Sequence, residues 1–142
     1  MKIRVLLVDD EKDFIETLSQ RLLVRDLEVL TALNGDEALT KVKESDFDVV
    51  VLDVLMPGKD GIETLKEIKK LSPLSQVIML TGNATVETAI EGMKQGAYDY
   101  LIKPTETEDL VEKIKKAYQL ISEHKDRIRN AEIEGIIKRR GW

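Results

Sequence analysis

The chain has 142 residues, 42% of them hydrophobic and 35% charged, a size and balance for which one globular domain is the default. With no cysteine and a single histidine, it cannot build zinc ribbons, iron–sulfur clusters, thiol nucleophiles, a disulfide framework or a multi-histidine metal site. The net charge of −5 is −7 over residues 1–122 (16 basic, 23 acidic) and +2 over 123–142 (6 basic, 4 acidic), which is no general nucleic-acid footprint. Apolar runs such as Val49 to Leu52 are far too short to span a membrane, and the N-terminus lacks a secretory signal, so the expectation is a cytoplasmic protein.

Apolar, β-branched runs alternate with segments of helical period, which predicts an α/β fold on a parallel sheet. The first strand is expected at Ile3 to Val8, followed by a helix with Phe14, Leu18 and Leu22 on one face. Glu28 to Ala32 is the second strand, the least strand-like by composition. Asn34-Gly35 opens a second helix carrying Ala38, Leu39 and Val42. Val49 to Leu52 forms the third strand; Pro57-Gly58 and Gly61 then set a turn before a helix with Ile62, Leu65 and Ile68. Val77 to Leu80 is the fourth strand, and Val86, Ala89, Ile90 and Met93 mark a helix with Gly96 just past its end. Tyr100 to Ile102 is the fifth strand. A last helix starts near Thr107 with Leu110, Ile114, Ala117 and Ile121 on one face. Its seven-residue spacing continues through Ile128 until Gly135 interrupts. The expected organisation is a domain over 1–121 and a helical linker or tail over 122–142, with no output domain.

In an open parallel sheet the C-terminal strand ends share one edge, and side chains just past them meet in a crevice. Here those residues are Asp9 and Asp10 after the first strand, Asp53 after the third, Thr81 and Gly82 at the fourth, and Lys103-Pro104 after the fifth. Three clustered carboxylates repel one another, and an oxygen-only donor set without histidine or cysteine suits magnesium, with a phosphoryl group as guest. Lys103 and Thr81 match the charge spread over a transferring group's oxygens, and Gly82 keeps the approach open. Asp53, alone on a central strand between the acid pair and the Thr–Lys pair, is the candidate nucleophile for an aspartyl phosphate. Any one acidic residue after a strand is most often a turn former or cap. The ordered set of acid pair, acid, threonine and lysine-proline is what carries the reading.

The segments Val5-Leu6-Leu7-Val8-Asp9-Asp10-Glu11, Val51 to Gly61, Val77 to Gly82 and Gly96 to Pro104 resemble the receiver domain of two-component response regulators, over about Lys2 to Ile121. That resemblance implies a doubly wound five-stranded sheet of order 2-1-3-4-5 flanked by five helices. It implies that Asp53 accepts a phosphoryl group from a sensor histidine kinase, that Asp9, Asp10, Asp53 and the Leu55 carbonyl help hold magnesium, and that Thr81 and Lys103 hold phosphoryl oxygens. It also implies a cis bond at Lys103-Pro104 and a switch in which Thr81 and Tyr100 move, read out on the face of the fourth helix, fifth strand and fifth helix. On its own pattern, Tyr100 reads as core. Leu55 and Asn83 sit where family members tune phosphoryl lifetime.

Three other readings compete. A haloacid-dehalogenase-type phosphatase also uses an aspartate nucleophile with magnesium, threonine and lysine, but needs Asp-x-Asp; Asp53 is followed by Val54-Leu55, and Asp9-Asp10 lacks the intervening residue. A flavin-binding module needs an anion-accepting first loop, which Asp10-Glu11-Lys12-Asp13 is not. A constitutive interaction module is the non-switching alternative. His124 and Lys138-Arg139-Arg140 read as solvated, and no direct nucleic-acid or membrane contact is expected. Ile114, Ile121 and Ile128 at heptad spacing make a homodimer through the last helix an expectation, alongside the switch face. A single-domain regulator and a piece cut after its linker both stand, the second favoured because an abruptly ending polar helix has no evident use alone.

Overall fold

The computed structural model describes residues 2–54, 60–82 and 86–140. In chain order the elements are β1 (Arg4–Val8), α1 (Lys12–Leu23), β2 (Glu28–Ala32), α2 (Gly35–Glu44), β3 (Val49–Leu52), α3 (Gly61–Leu71), β4 (Gln76–Thr81), α4 (Val86–Lys94), β5 (Asp99–Ile102) and α5 (Thr107–Arg140). The strands pair in parallel in the order β2-β1-β3-β4-β5. Order reverses between β1 and β3, which opens a crevice beyond their C-terminal ends.

Because each buried strand alternates sides, its residues divide between two cores. Leu6, Val8, Val50, Leu52, Val77 and Met79 pack with Ala38, Leu39, Leu65 and Ile68 of α2 and α3 on one face. Val5, Leu7, Val49, Val51, Ile78 and Leu80 pack with α1 and α5 on the other, against Ile15, Leu18, Leu22, Leu110, Ile114 and Ala117. Both faces are covered, which is why the strands read as continuous apolar runs.

Local chemistry sets the ends. Asn34 caps α2 by accepting from the Glu37 N–H, and Asp60 caps α3 by accepting from the Glu63 N–H. Gly96, at φ +104°, adopts the left-handed turn after α4 that a side chain would strain. Arg25 Nε donates to Glu108 at 2.7 Å and ties the end of α1 to the start of α5.

The break expected at Gly135 does not occur: the helical backbone continues to Arg140. A glycine inside a helix costs only about 1 kcal/mol relative to alanine, too little to end it among strong helix formers such as Glu132, Glu134 and Lys138. Along α5 the buried face stops at Ile121; residues 122–134 are all exposed, including Ile128 and Ile133. Among the described residues no helix is long and apolar enough to cross a membrane.

Candidate functional site

Three of the candidate residues lie one position past a strand and are held there by a rung of the sheet ladder. The Asp9 N–H donates to the Ala32 carbonyl at the end of β2 (3.1 Å), the Asp53 N–H to Val8 at the end of β1 (2.9 Å), and the Lys103 N–H to Thr81 at the end of β4 (2.9 Å). The sheet therefore fixes the backbone of each before any side-chain contact forms. Gly61 tightens the arrangement: its N–H donates to the Val54 carbonyl at 2.9 Å, and a Cβ there would lie 2.4 Å from the Asp53 carbonyl oxygen and 2.5 Å from the Val54 Cα. Only glycine lets α3 start against the chain that carries Asp53.

The side chains converge. Carboxylate oxygens of Asp9, Asp10 and Asp53 lie within 4.8 Å of one another; Asp9 and Asp53 are buried and Asp10 is exposed. Lys103 reaches in from the β5 edge, with its Nζ 2.6 Å from Asp9 Oδ2, 3.5 Å from Glu11 Oε1 and 3.9 Å from Asp53 Oδ2. Thr81 is buried at the end of β4. Among the described residues, a Cβ on Gly82 would touch only the stem of Lys103, at 3.8 Å, an ordinary contact. The Lys103–Pro104 peptide is cis, as the family resemblance implies.

Negative charge is in excess. Burial pulls the Lys103 ammonium down, but the hydrogen bond and charge of Asp9, followed by the charges of Asp53 and Glu11, outweigh it and hold the group above the usual lysine range. Among the described residues, one ammonium, Lys103, lies against the carboxylates of Asp9, Glu11 and Asp53, with Asp10 beside them, which leaves the crevice suited to a hard cation. The donor set fits one, being oxygen-only, mutually close and free of histidine and cysteine.

Tyr100 is half-buried against the core that lies under α2 and α3, and its hydroxyl is buried without a hydrogen-bond partner among the described residues. Its position thus agrees with the core reading of its own pattern. Leu55 and Asn83, and the Pro57-Gly58 turn, lie outside the described residues. His124 is exposed on α5.

Two neighbours of the site were not singled out from the sequence. Glu11 donates its N–H to Asp9 Oδ1 at 2.9 Å and adds its carboxylate beside Lys103. Phe14, expected on the apolar face of α1, presents its ring face to the Lys103 ammonium, 4.1 Å from the ring centroid. Neither has a local signal, since each acts on a residue at the far end of the domain's sequence.

Residues 5–115 match the family described as response regulator receiver domain. The transcriptional regulatory protein ZraR of Salmonella typhimurium is 44% identical over 116 residues, which cover 82% of this chain and 26% of that protein. The chain thus spans about a quarter of the length of the first curated relatives it matches. Among solved structures, a CheY-like response regulator receiver domain protein from Methanospirillum hungatei superposes with a TM-score of 0.85 at 31% identity, covering 87% of this chain and 99% of that one. A response regulator protein from Burkholderia pseudomallei, with a phosphorylated aspartic acid, a calcium ion and citrate, gives 0.77 at 25% identity, covering 99% and 86%.

Proposed function

This chain belongs to the response regulator receiver domain family and is a signalling domain of two-component systems, and from that premise we propose that Asp53 is its phosphoryl acceptor. A carboxylate oxygen of Asp53 forms the new P–O bond while the P–N bond of a sensor kinase's phosphohistidine breaks. The imidazole leaves with the electron pair, and an acyl phosphate remains on the receiver. The observation that carries this reading is the buried Asp53 just past the end of a central strand, with Asp9 and Asp10 oxygens within 4.8 Å and the Lys103 ammonium at 3.9 Å.

Lys103 and the Thr81 hydroxyl hold the phosphoryl oxygens, so the domain assists both its own loading and its own hydrolysis. Asp9, Asp10, Asp53 and the Leu55 carbonyl are the residues that would hold magnesium, which when bound supplies neutralisation of the phosphoryl charge. The Burkholderia pseudomallei protein, whose structure holds a phosphorylated aspartic acid and a calcium ion, supports this reading. Pro104 and Gly82 shape the rim around Lys103. The phosphatase alternative is disfavoured because Asp9 and Asp10 are adjacent and no second acid follows Asp53 at the required spacing.

Phosphorylation draws Thr81 toward the site and moves Tyr100, and the change is read on α4, β5 and α5, where Ile90, Met93 and Ile102 are exposed. We place the receiver at 1–121 and an extension at 122–142, supported by the end of burial at Ile121. The module works in the cytosol, and its output is control of a partner or an attached domain, as in transcription. A homodimer through this face and the α5 extension is the form that output takes. Sedimentation with magnesium and fluoroberyllate is expected to show a heavier species that Ile128→Lys abolishes; an unchanged mass at high micromolar concentration overturns the dimer.

The decisive test is labelling with acetyl [32P]phosphate and magnesium. The wild type is expected to take up hydroxylamine-labile label and Asp53→Ala none. Undiminished label on Asp53→Ala overturns the assignment.

A further inference from the structure

We propose that Phe14 is a positioning residue for phosphoryl transfer, its ring face holding the Lys103 ammonium beside Asp53. The inference rests on the role given above to Lys103.

A lysine side chain has about 2 kcal/mol of rotamer entropy, so a single contact at its tip does not hold it in one place. Here the ammonium is held by two kinds of contact: carboxylates, Asp9 at 2.6 Å with Glu11 at 3.5 Å and Asp53 at 3.9 Å, and an aromatic face, Phe14 at 4.1 Å from its centroid. The two restraints differ in kind. Asp9 is a candidate cation ligand, and once its oxygens are shared its hold on Lys103 weakens. The Phe14 ring is no ligand for a hard cation and no acceptor for a proton, so its attraction for an ammonium persists. It is also well anchored: Phe14 lies in the first turn of α1, half-buried against the core of β1, β3, β4 and α5. Lys103 is 14% exposed, so the contact is largely shielded from water, the setting in which cation–π attraction is strongest.

The ring is thus expected to matter for rate rather than for folding. Losing it while keeping an apolar side chain, as in Phe14→Leu, should slow phosphorylation by acetyl phosphate about three- to thirty-fold, in kcat more than in KM. Phe14→Tyr keeps the ring. A cavity of about 170 Å³ is lined by Phe14, Thr17, Arg21, Lys103 and Thr105, so the ring borders open space. That variant should stay within about twofold of the wild type.

The experiment is a cycle of Phe14→Leu, Lys103→Ala and the double variant, with proton NMR of Lys103 in the metal-free protein as a second readout. The expected result is that Phe14→Leu slows the wild type but adds nothing in the Lys103→Ala background. The Lys103 Hε resonances, shifted upfield by the ring, should return toward ordinary values in Phe14→Leu and stay shifted in Phe14→Tyr. Equal slowing in both backgrounds, or unshifted Hε resonances in the wild type, overturns the positioning role. A Lys103→Ala rate equal to wild type with the upfield shift intact overturns the role of Lys103 itself, and with it the consequence drawn for Phe14.

Discussion

At the N-terminal end of the sheet, polar side chains close loops on one another. The Arg4 N–H donates to Asp48 Oδ2 at 2.9 Å, and the Arg4 guanidinium lies over the Phe47 ring, 5.1 Å from its centroid. The buried Ser75 hydroxyl donates to the Phe47 carbonyl at 2.6 Å, and the Lys69 ammonium donates to the carbonyls of Pro73 and Ser75, each at 2.9 Å. At the C-terminal end, three aspartates and Glu11 crowd one lysine. A cation over an aromatic ring occurs at both ends, as does a lysine removed from water. The two lysines shift in opposite directions: burial lowers Lys69, which donates to two neutral carbonyls, while carboxylates raise Lys103. Polar groups at one end are balanced by one another, and the surplus negative charge at the other suits a hard cation.

Mutations sharpen the contrast. The largest effect is expected from Gly61→Ala, whose Cβ would collide with the backbone of Asp53 and Val54. It should cost about 3 kcal/mol in urea unfolding, along with the site's activity. At the opposite end, Ser75→Ala leaves the Phe47 carbonyl without its hydroxyl donor and should cost about 1–2 kcal/mol by the same measurement, while phosphorylation stays near wild type. Asp53→Asn, which is expected to abolish phosphoryl acceptance, should stabilise the metal-free protein by about 1 kcal/mol, since it relieves carboxylate repulsion. A destabilised Asp53→Asn protein would break the comparison.

The smallest effect concerns pH. The folded Lys69 loses its proton below the usual lysine value of 10.5. Between that lowered value and 10.5 the unfolded chain holds more protons than the folded one, so the contribution of Lys69 to stability rises with pH across this window. Urea unfolding at closely spaced alkaline pH values should show a shallower stability slope for wild type than for Lys69→Met, because overall stability there also falls from other groups. Identical slopes would show that Lys69 keeps an ordinary value.

Much of this was legible in the residue pattern. β2 and β3 span the expected residues, and β1, β4 and β5 differ by a residue at one or both ends. Gln76 and Thr81 are strand residues that an apolar run cannot mark, because the ladder continues past the hydrophobic stretch it stabilises. On α1 the expected Leu18 and Leu22 are buried, but Ile15 is buried as well, while Phe14 turns toward the site. Periodicity assigns a face and not the last ångströms of a ring's position. Convergence of the acids with Lys103 followed from parallel topology. What no local pattern carried was pairing between distant segments: Glu11 with Lys103, and Phe14 with Lys103.

The unbroken backbone of α5 has a mechanical consequence. With about 1.5 Å of rise per residue, the stretch from Ile121 to Arg140 is a pointer about 28 Å long, its hub anchored in the core by Leu110, Ile114 and Ala117. Tilting that hub by only about 10° sweeps the far tip through about 5 Å, roughly the width of one strand in a sheet. A sub-ångström rearrangement near the strand ends can in this way become a displacement large enough for another molecule to register.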